Sequence, residues 1–138
     1  MQTTPMTAAA WLATADPDPD HAARWFESAG IVLLPLGTVW SAVRCGEHDG
    51  LAAAATVTGP VIHDPAGRAV YFLIPPTTTT WDVAGSHLLG VACWLTVPAP
   101  VTTQPPGPYW IQPPDGSGRL VDVAALAAAL TARQGAGA

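Results

Sequence analysis

Val61-Ile62-His63-Asp64-Pro65-Ala66-Gly67-Arg68-Ala69-Val70-Tyr71-Phe72-Leu73-Ile74 is two short apolar runs joined by turn residues. Proline at the second position of Asp64–Gly67 and glycine at the fourth suit a type I turn. The stretch therefore predicts a β-hairpin with arms at Val61–His63 and Arg68–Ile74. On the second arm Val70, Phe72 and Ile74 share one face, with Tyr71 and Leu73 opposite. Asp64 is the first residue of the turn, where its side chain can accept turn N–H bonds.

Outward from the hairpin, further strands are expected. Ile31–Leu36 is a continuous apolar run. Val39–Arg44 alternates, with Trp40, Ala42 and Arg44 on one face. Val91, Cys93, Leu95 and Val97 alternate with Trp94 and Thr96 until Pro98, and Tyr109–Gln112 reads as a short edge strand between prolines. Helical spacing of i, i+3, i+4, i+7 recurs at Ala8-Trp11-Leu12-Ala15, Ala22-Trp25-Phe26-Ala29 and Val123-Leu126-Ala127-Leu130, with a weaker version at Leu51-Ala54-Ala55. Thr7, Asp20, Asp49 and Asp122 are the expected N-caps, Gly30 ends the second helix, and Gly135 follows the last. The order α-α-β-β-α-β-β-β-β-α predicts an α+β fold, a single mostly antiparallel or mixed sheet covered by N- and C-terminal helices. A doubly wound sheet would need regular strand–helix alternation. The expected division is 1–19 for the first helix and its proline linker, 20–134 for one α+β domain, and 135–138 for a disordered tail.

The 138 residues carry ten acidic side chains against five basic ones, a net charge of −5, and all five basic residues are arginines. Charged residues make up 11%, less than half the ~25% of an ordinary domain. Arg24, Arg44, Arg68, Arg119 and Arg133 are scattered, which disfavours a groove tracking a phosphate backbone. No stretch is long and apolar enough to span a bilayer. The first fifteen residues lack the basic start of a signal peptide. A cytoplasmic location is expected, with Cys45 and Cys93 as buried free thiols.

Three segments carry a family likeness: Gly67 to Pro76, Leu89 to Pro98 and Pro106 to Ile111. Together they resemble the later half of bifunctional primase–polymerase N-terminal domains, most of all the short degenerate relatives found in actinomycetes. Ala22 to Pro35 is similar to the way such domains open. The resemblance implies a prim-pol-like fold, and for chemistry it implies a loss. Active members hold metal and nucleotide with an Asp-x-Asp pair on a strand, a histidine and a further carboxylate. Here the corresponding strand has no pair, and Ala69 or Val70 stands where the histidine belongs. Phosphoryl transfer needs carboxylate-held metal and a cationic clamp, so no primase or polymerase activity, metal or cofactor is expected.

Other chemistry is sparse. Asp16, Asp18, Asp20 and Glu27 fall at positions 1, 3, 5 and 12 of a calcium-loop pattern, but His21 replaces the glycine the loop requires. His21, His48, His63 and His87 show no zinc spacing. Ser41, Ser86 and Ser117 lack the context of a hydrolase elbow. Asp64, Asp82 and His87 would form a remnant hydrolase or transferase site only if they met in space. Trp11, Trp25, Trp40 and Trp94 are read as core. Trp81, Tyr109 and Trp110, among prolines and threonines, either form an interaction surface or fold back over the sheet edge. The expected function is a non-catalytic structural or regulatory protein-interaction domain, binding a protein partner or another copy of itself. The alternative is a nucleotide or single-stranded nucleic-acid binding domain whose candidate surface is Arg44, Arg68, Asp64, Tyr71 and Trp94, with Arg44, Arg68 and an aromatic such as Tyr71 or Trp94 for stacking.

Overall fold

The structure, a computed structural model, describes residues 6–136. The chain begins with α1 (Ala8–Ala13) and α2 (Pro19–Ala29), followed by β1 (Ile31–Pro35) and β2 (Ser41–Gly46). Next come α3 (Glu47–Ala54) and the hairpin β3 (Val61–Asp64) and β4 (Ala69–Ile74). It ends with β5 (Ser86–Leu89), β6 (Trp94–Pro98), β7 (Tyr109–Gln112) and α4 (Val123–Ala136). The α+β class holds, but the expected single sheet is two. β2, β3, β4, β5 and β7 form a five-stranded sheet in the order β5-β2-β4-β3-β7, while β1 and β6 form a separate two-stranded ribbon. Every neighbouring pair is antiparallel. Between β1 and β2 the chain makes a tight turn, in which Gly37 N–H donates to Trp40 C=O at 2.7 Å. β1 thereby leaves the plane of β2 and pairs with β6.

The alternation of β2, β3 and β4 builds the interior. Ala42, Ile62 and Leu73 face a first core with Trp11, Leu12 and Phe26 of the N-terminal helices, Val32 and Leu34 of β1, and Leu95 and Val97 of β6. Val43, Val61, Val70, Phe72 and Ile74 face a second core with Ala53 of α3 and Leu126 and Leu130 of α4. The larger sheet is thus the middle of three layers. In the first core the Trp11 and Trp40 rings lie 4.9 Å apart at 37°.

Local chemistry explains several helix ends. Thr7 caps α1 by accepting from Ala10 N–H at 3.1 Å, and Asp122 caps α4 by accepting from Ala125 N–H at 2.9 Å. Gly30 ends α2 in the left-handed region at φ 72°, a conformation that costs glycine little. Two expected caps shift. Asp18 precedes α2, because Pro19 takes the first helical position where its missing N–H costs nothing, and Asp20 falls in the first turn. Gly46 precedes α3, with Asp49 inside that helix's first turn. α4 continues to Ala136, through Gly135 and into the expected tail, of which residues 137–138 lie outside the described chain.

Three strand expectations are corrected. The hydrogen-bonded hairpin turn runs from Pro65 to Arg68, whose N–H donates to Pro65 C=O at 3.2 Å. β5 was not anticipated. β6 starts at Trp94, not Val91, because Gly90–Cys93 makes a turn with Ala92 at φ 74°; Val91 is left 82% exposed.

Candidate functional site

The five residues expected to form a binding surface meet only in part. Register aligns His87, Arg44, Tyr71, Ile62 and Trp110 as one row across β5, β2, β4, β3 and β7. Directly opposed residues point to the same face. Asp64, Tyr71 and Trp94 line one cleft with Ile62, Thr96 and Pro108, where β6 passes over the sheet. Arg44 lies beside Tyr71, but neither it nor Arg68 lines the cleft. Arg68 is exposed at the hairpin tip with φ 52°. The cleft has a volume of about 130 Å³, well below the ~300–1,000 Å³ of sites that enclose a drug-sized ligand. Asp64 also bends back over its own turn: a Cβ on Gly67 would lie 2.5 Å from its Oδ2.

The proposed Asp64–Asp82–His87 grouping does not assemble. β3 and β5 stand three strand spacings apart, roughly 14 Å at ~4.8 Å each. Asp16 is engaged locally: Oδ1 accepts from Asp18 N–H at 2.8 Å and Oδ2 bonds His21 Nδ1 at 2.8 Å. Partial burial pushes its carboxyl up, yet the bonds to His21 and Asp18 outweigh it and hold the group below the ordinary carboxylate range. Among the described residues, no three His, Cys, Asp or Glu side chains are grouped to hold a metal ion.

Trp81, Tyr109 and Trp110 are not a common exposed surface. Trp110 is 1% exposed and its Nε1–H donates to Pro98 C=O at 2.8 Å, so the proline-rich segment folds back onto the sheet. Trp81 packs against the second core with its Nε1–H on Ser86 Oγ at 2.7 Å. Tyr109 belongs to a cluster the sequence did not reveal. Its hydroxyl bonds His63 Nδ1 at 2.7 Å, and His63 Nε2 bonds Glu47 Oε2 at 2.7 Å. An ionised Glu47 only accepts, so Nε2 carries a proton, and in neutral His63 the Tyr109 hydroxyl donates to Nδ1. Both nitrogens of the buried imidazole are satisfied, tying α3, β3 and β7 together. Glu47, His63 and Tyr109 are separated by 16 and 46 residues, so no motif spacing could expose them.

The least expected surface lies on the outside of the ribbon. Trp25 on α2 and Trp94 on β6, both read as core, are 48% and 57% exposed, and Leu33 on β1 is 56% exposed. α2 buries a narrower stripe than its spacing implied, with Ala22 and Phe26 inward and Trp25 turned out. In β1, Val32 and Leu34 face inward, which leaves Ile31, Leu33 and Pro35 opposite Pro98, Thr96 and Trp94 on the outer face. His21, Trp25, Ile31, Val32, Leu33, Trp94 and Thr96 enclose an apolar groove of about 420 Å³. Trp25 is held in its wall by a 3.0 Å bond from Nε1–H to His21 Nε2. Indole N–H only donates, so Nε2 is the acceptor and Nδ1 carries the proton shared with Asp16.

No family model, no curated protein and no solved structure matches this chain. That finding overturns the prim-pol-like assignment, and with it the actinomycete affiliation and the DNA-binding role. The segments behind the resemblance are apolar strands and prolines. They are what any buried sheet with stiff connections requires.

Proposed function

We propose that this chain is a non-catalytic protein-interaction module, and that its recognition surface is the groove between α2 and the β1–β6 ribbon. One observation carries this reading. Trp25, Leu33 and Trp94, large apolar side chains that folding ordinarily buries, stand about half exposed along one groove lined only by uncharged side chains and His21. Exposed apolar patches of this kind mark interaction sites, and tryptophan is the side chain most enriched among residues that dominate binding energy. The Glu47–His63–Tyr109 cluster is committed to internal hydrogen bonds, which supports a structural role for these three side chains.

The groove fits an extended apolar segment. Among the described residues β1 has a strand neighbour on one side only, so its outer edge can accept another strand, with main-chain bonds supplying affinity and the groove selecting side chains. The test is a titration of ¹⁵N-labelled protein with a capped five-residue peptide alternating threonine and leucine. The indole N–H resonances of Trp25 and Trp94 are expected to shift saturably, with Kd on the order of 0.1–1 mM, and Leu33→Glu is expected to weaken binding about tenfold or more. Absence of shifts at these indoles with several millimolar peptide would overturn the reading.

A further inference from the structure

The strand that fits this groove is carried by the chain itself. We infer that the module pairs with a second copy of itself, edge to edge through β1, and this rests on the groove reading above. Ala99 N–H donates to Gly30 C=O at 2.8 Å, and Leu36 N–H donates to Cys93 C=O at 2.9 Å. With these bonds at its two ends, the antiparallel ladder places its hydrogen-bonded pairs at Gly30–Ala99, Val32–Val97, Leu34–Leu95 and Leu36–Cys93. The amide groups of Ile31 and Leu33 and the carbonyl of Pro35 therefore point away from β6, toward the open edge.

That edge is complementary to itself. A two-fold axis through Leu33 lays β1 antiparallel against β1 of the second copy. Leu33 exchanges both of its bonds with the partner's Leu33. The N–H of Ile31 meets the carbonyl of the partner's Pro35, and symmetry repeats the contact. Proline has no N–H to return, so each of these two pairs keeps one of its two bonds and the Ile31 carbonyl stays open to water. The outer face of the resulting four-stranded sheet is wholly uncharged, because the residues brought together are Ile31, Leu33, Pro35, Trp94 and Thr96 from both copies. For a chain of net charge −5, this is a face on which two copies meet without placing like charges in contact. The exposed parts of Trp25, Leu33 and Trp94 amount to on the order of 300 Å² per copy, well short of the ~800 Å² per partner of a standard stable interface. The pairing is accordingly a weak one, with Kd on the order of 10–100 µM.

Sedimentation of the full chain from 5 to 500 µM tests it. The weight-average mass is expected to rise from 14.2 kDa toward twice that value, and the Leu33 amide is expected to exchange more slowly with deuterium as concentration rises. Leu33→Pro removes the outward donor, keeps an apolar side chain and spares the ladder with β6, in which Leu33 N–H takes no part; the fixed φ of proline is accommodated on an edge strand. This variant is expected to stay monomeric at 500 µM while its circular dichroism remains that of the parent. Leu33→Glu, which adds a charge to the same edge, is the second variant and has the same expected outcome. A parent that remains monomeric at 500 µM, yet shifts its Trp25 and Trp94 indoles with the peptide, overturns self-pairing and leaves the groove reading intact. Dimerisation that survives both substitutions overturns the β1 edge as its site. A monomeric parent that also ignores the peptide removes both.

Discussion

Cys45 shows how one buried side chain records its layer. It lies in the second core on β2, with its thiol 3.8 Å from Val70 C=O. Burial, reinforced by the nearby Asp49 and opposed by Arg44, pushes that thiol up to about 12. Thiolate is the reactive form, so Cys45 is expected to resist a disulfide-forming thiol reagent at pH 8 until the chain unfolds. Cys93, only partly buried and on the first core's side, should react first. Rapid labelling of both thiols in the native protein would contradict this. The same shift sets a pH dependence with a definite sign. The folded state holds the proton more tightly than the unfolded one, so this contribution is fully present below the ordinary thiol value of 9.0 and is lost as pH climbs from there toward 12. Cys45→Ala is expected to flatten the stability profile over that interval, measured by urea denaturation at several pH values.

At the scale of elements, α3 sits unusually close to the sheet. A Cβ on Gly50 would lie 2.6 Å from Val70 Cβ and 2.9 Å from Cys45 Sγ. Glycine is there for proximity, at a helix-interior position where it otherwise costs roughly 0.5–1 kcal/mol relative to alanine. Gly50→Ala therefore sets a small propensity gain against overpacking, and overpacking of a tight core costs typically ~1–3 kcal/mol. The expected result is a net loss of about 1–2 kcal/mol in chemical denaturation; a stabilised variant would show that α3 can lift off the sheet freely. The elements also show what the sequence made legible. The β3–β4 hairpin, the caps at Thr7 and Asp122 and the ending of α2 at Gly30 are written in residues within a few positions of one another. β5 leaves no alternating signal, because Ser86–Leu89 buries only Ser86. The start of β6 is obscured because Val91 and Cys93 continue its alternation in the sequence, while the chain there is a turn. The candidate groove was hidden for a related reason. Trp25 and Trp94 occupy helix and strand patterns that normally bury tryptophan, and the relation of α2 to the ribbon is set by tertiary packing. Separation of β1 from the main sheet was equally invisible, since a strand's own residues do not say which neighbour it will take.

For the whole molecule, the decisive fact is that two cores share one sheet. Neighbouring residues of the central strands serve opposite layers: Ala42 and Val43, Ile62 and Val61, Leu73 and Phe72. Neither helical layer can separate without exposing a full apolar face of β2, β3 and β4, at about 25 cal/mol for each Å² uncovered. The chain is therefore expected to unfold as one cooperative unit, with both cores lost together. Each core carries its own reporter. The Trp11–Trp40 pair, with ring centroids 4.9 Å apart, gives the first core a near-ultraviolet circular dichroism signal. Accessibility of the Cys45 thiol reports on the second. Midpoints in urea should coincide for the two reporters. Gly50→Ala, which perturbs only the second core directly, should move both midpoints equally, and thermal melting should fall by about 3–4 °C per kcal/mol for a chain of this size. If the α3–α4 layer instead came away first, Cys45 would become reactive at a lower urea concentration than the loss of the tryptophan signal. Gly50→Ala would then widen that gap and leave the Trp11–Trp40 transition where it was. Coincidence in both proteins places the cooperative unit at the shared sheet, with the outward groove of the ribbon as a surface on a rigid body.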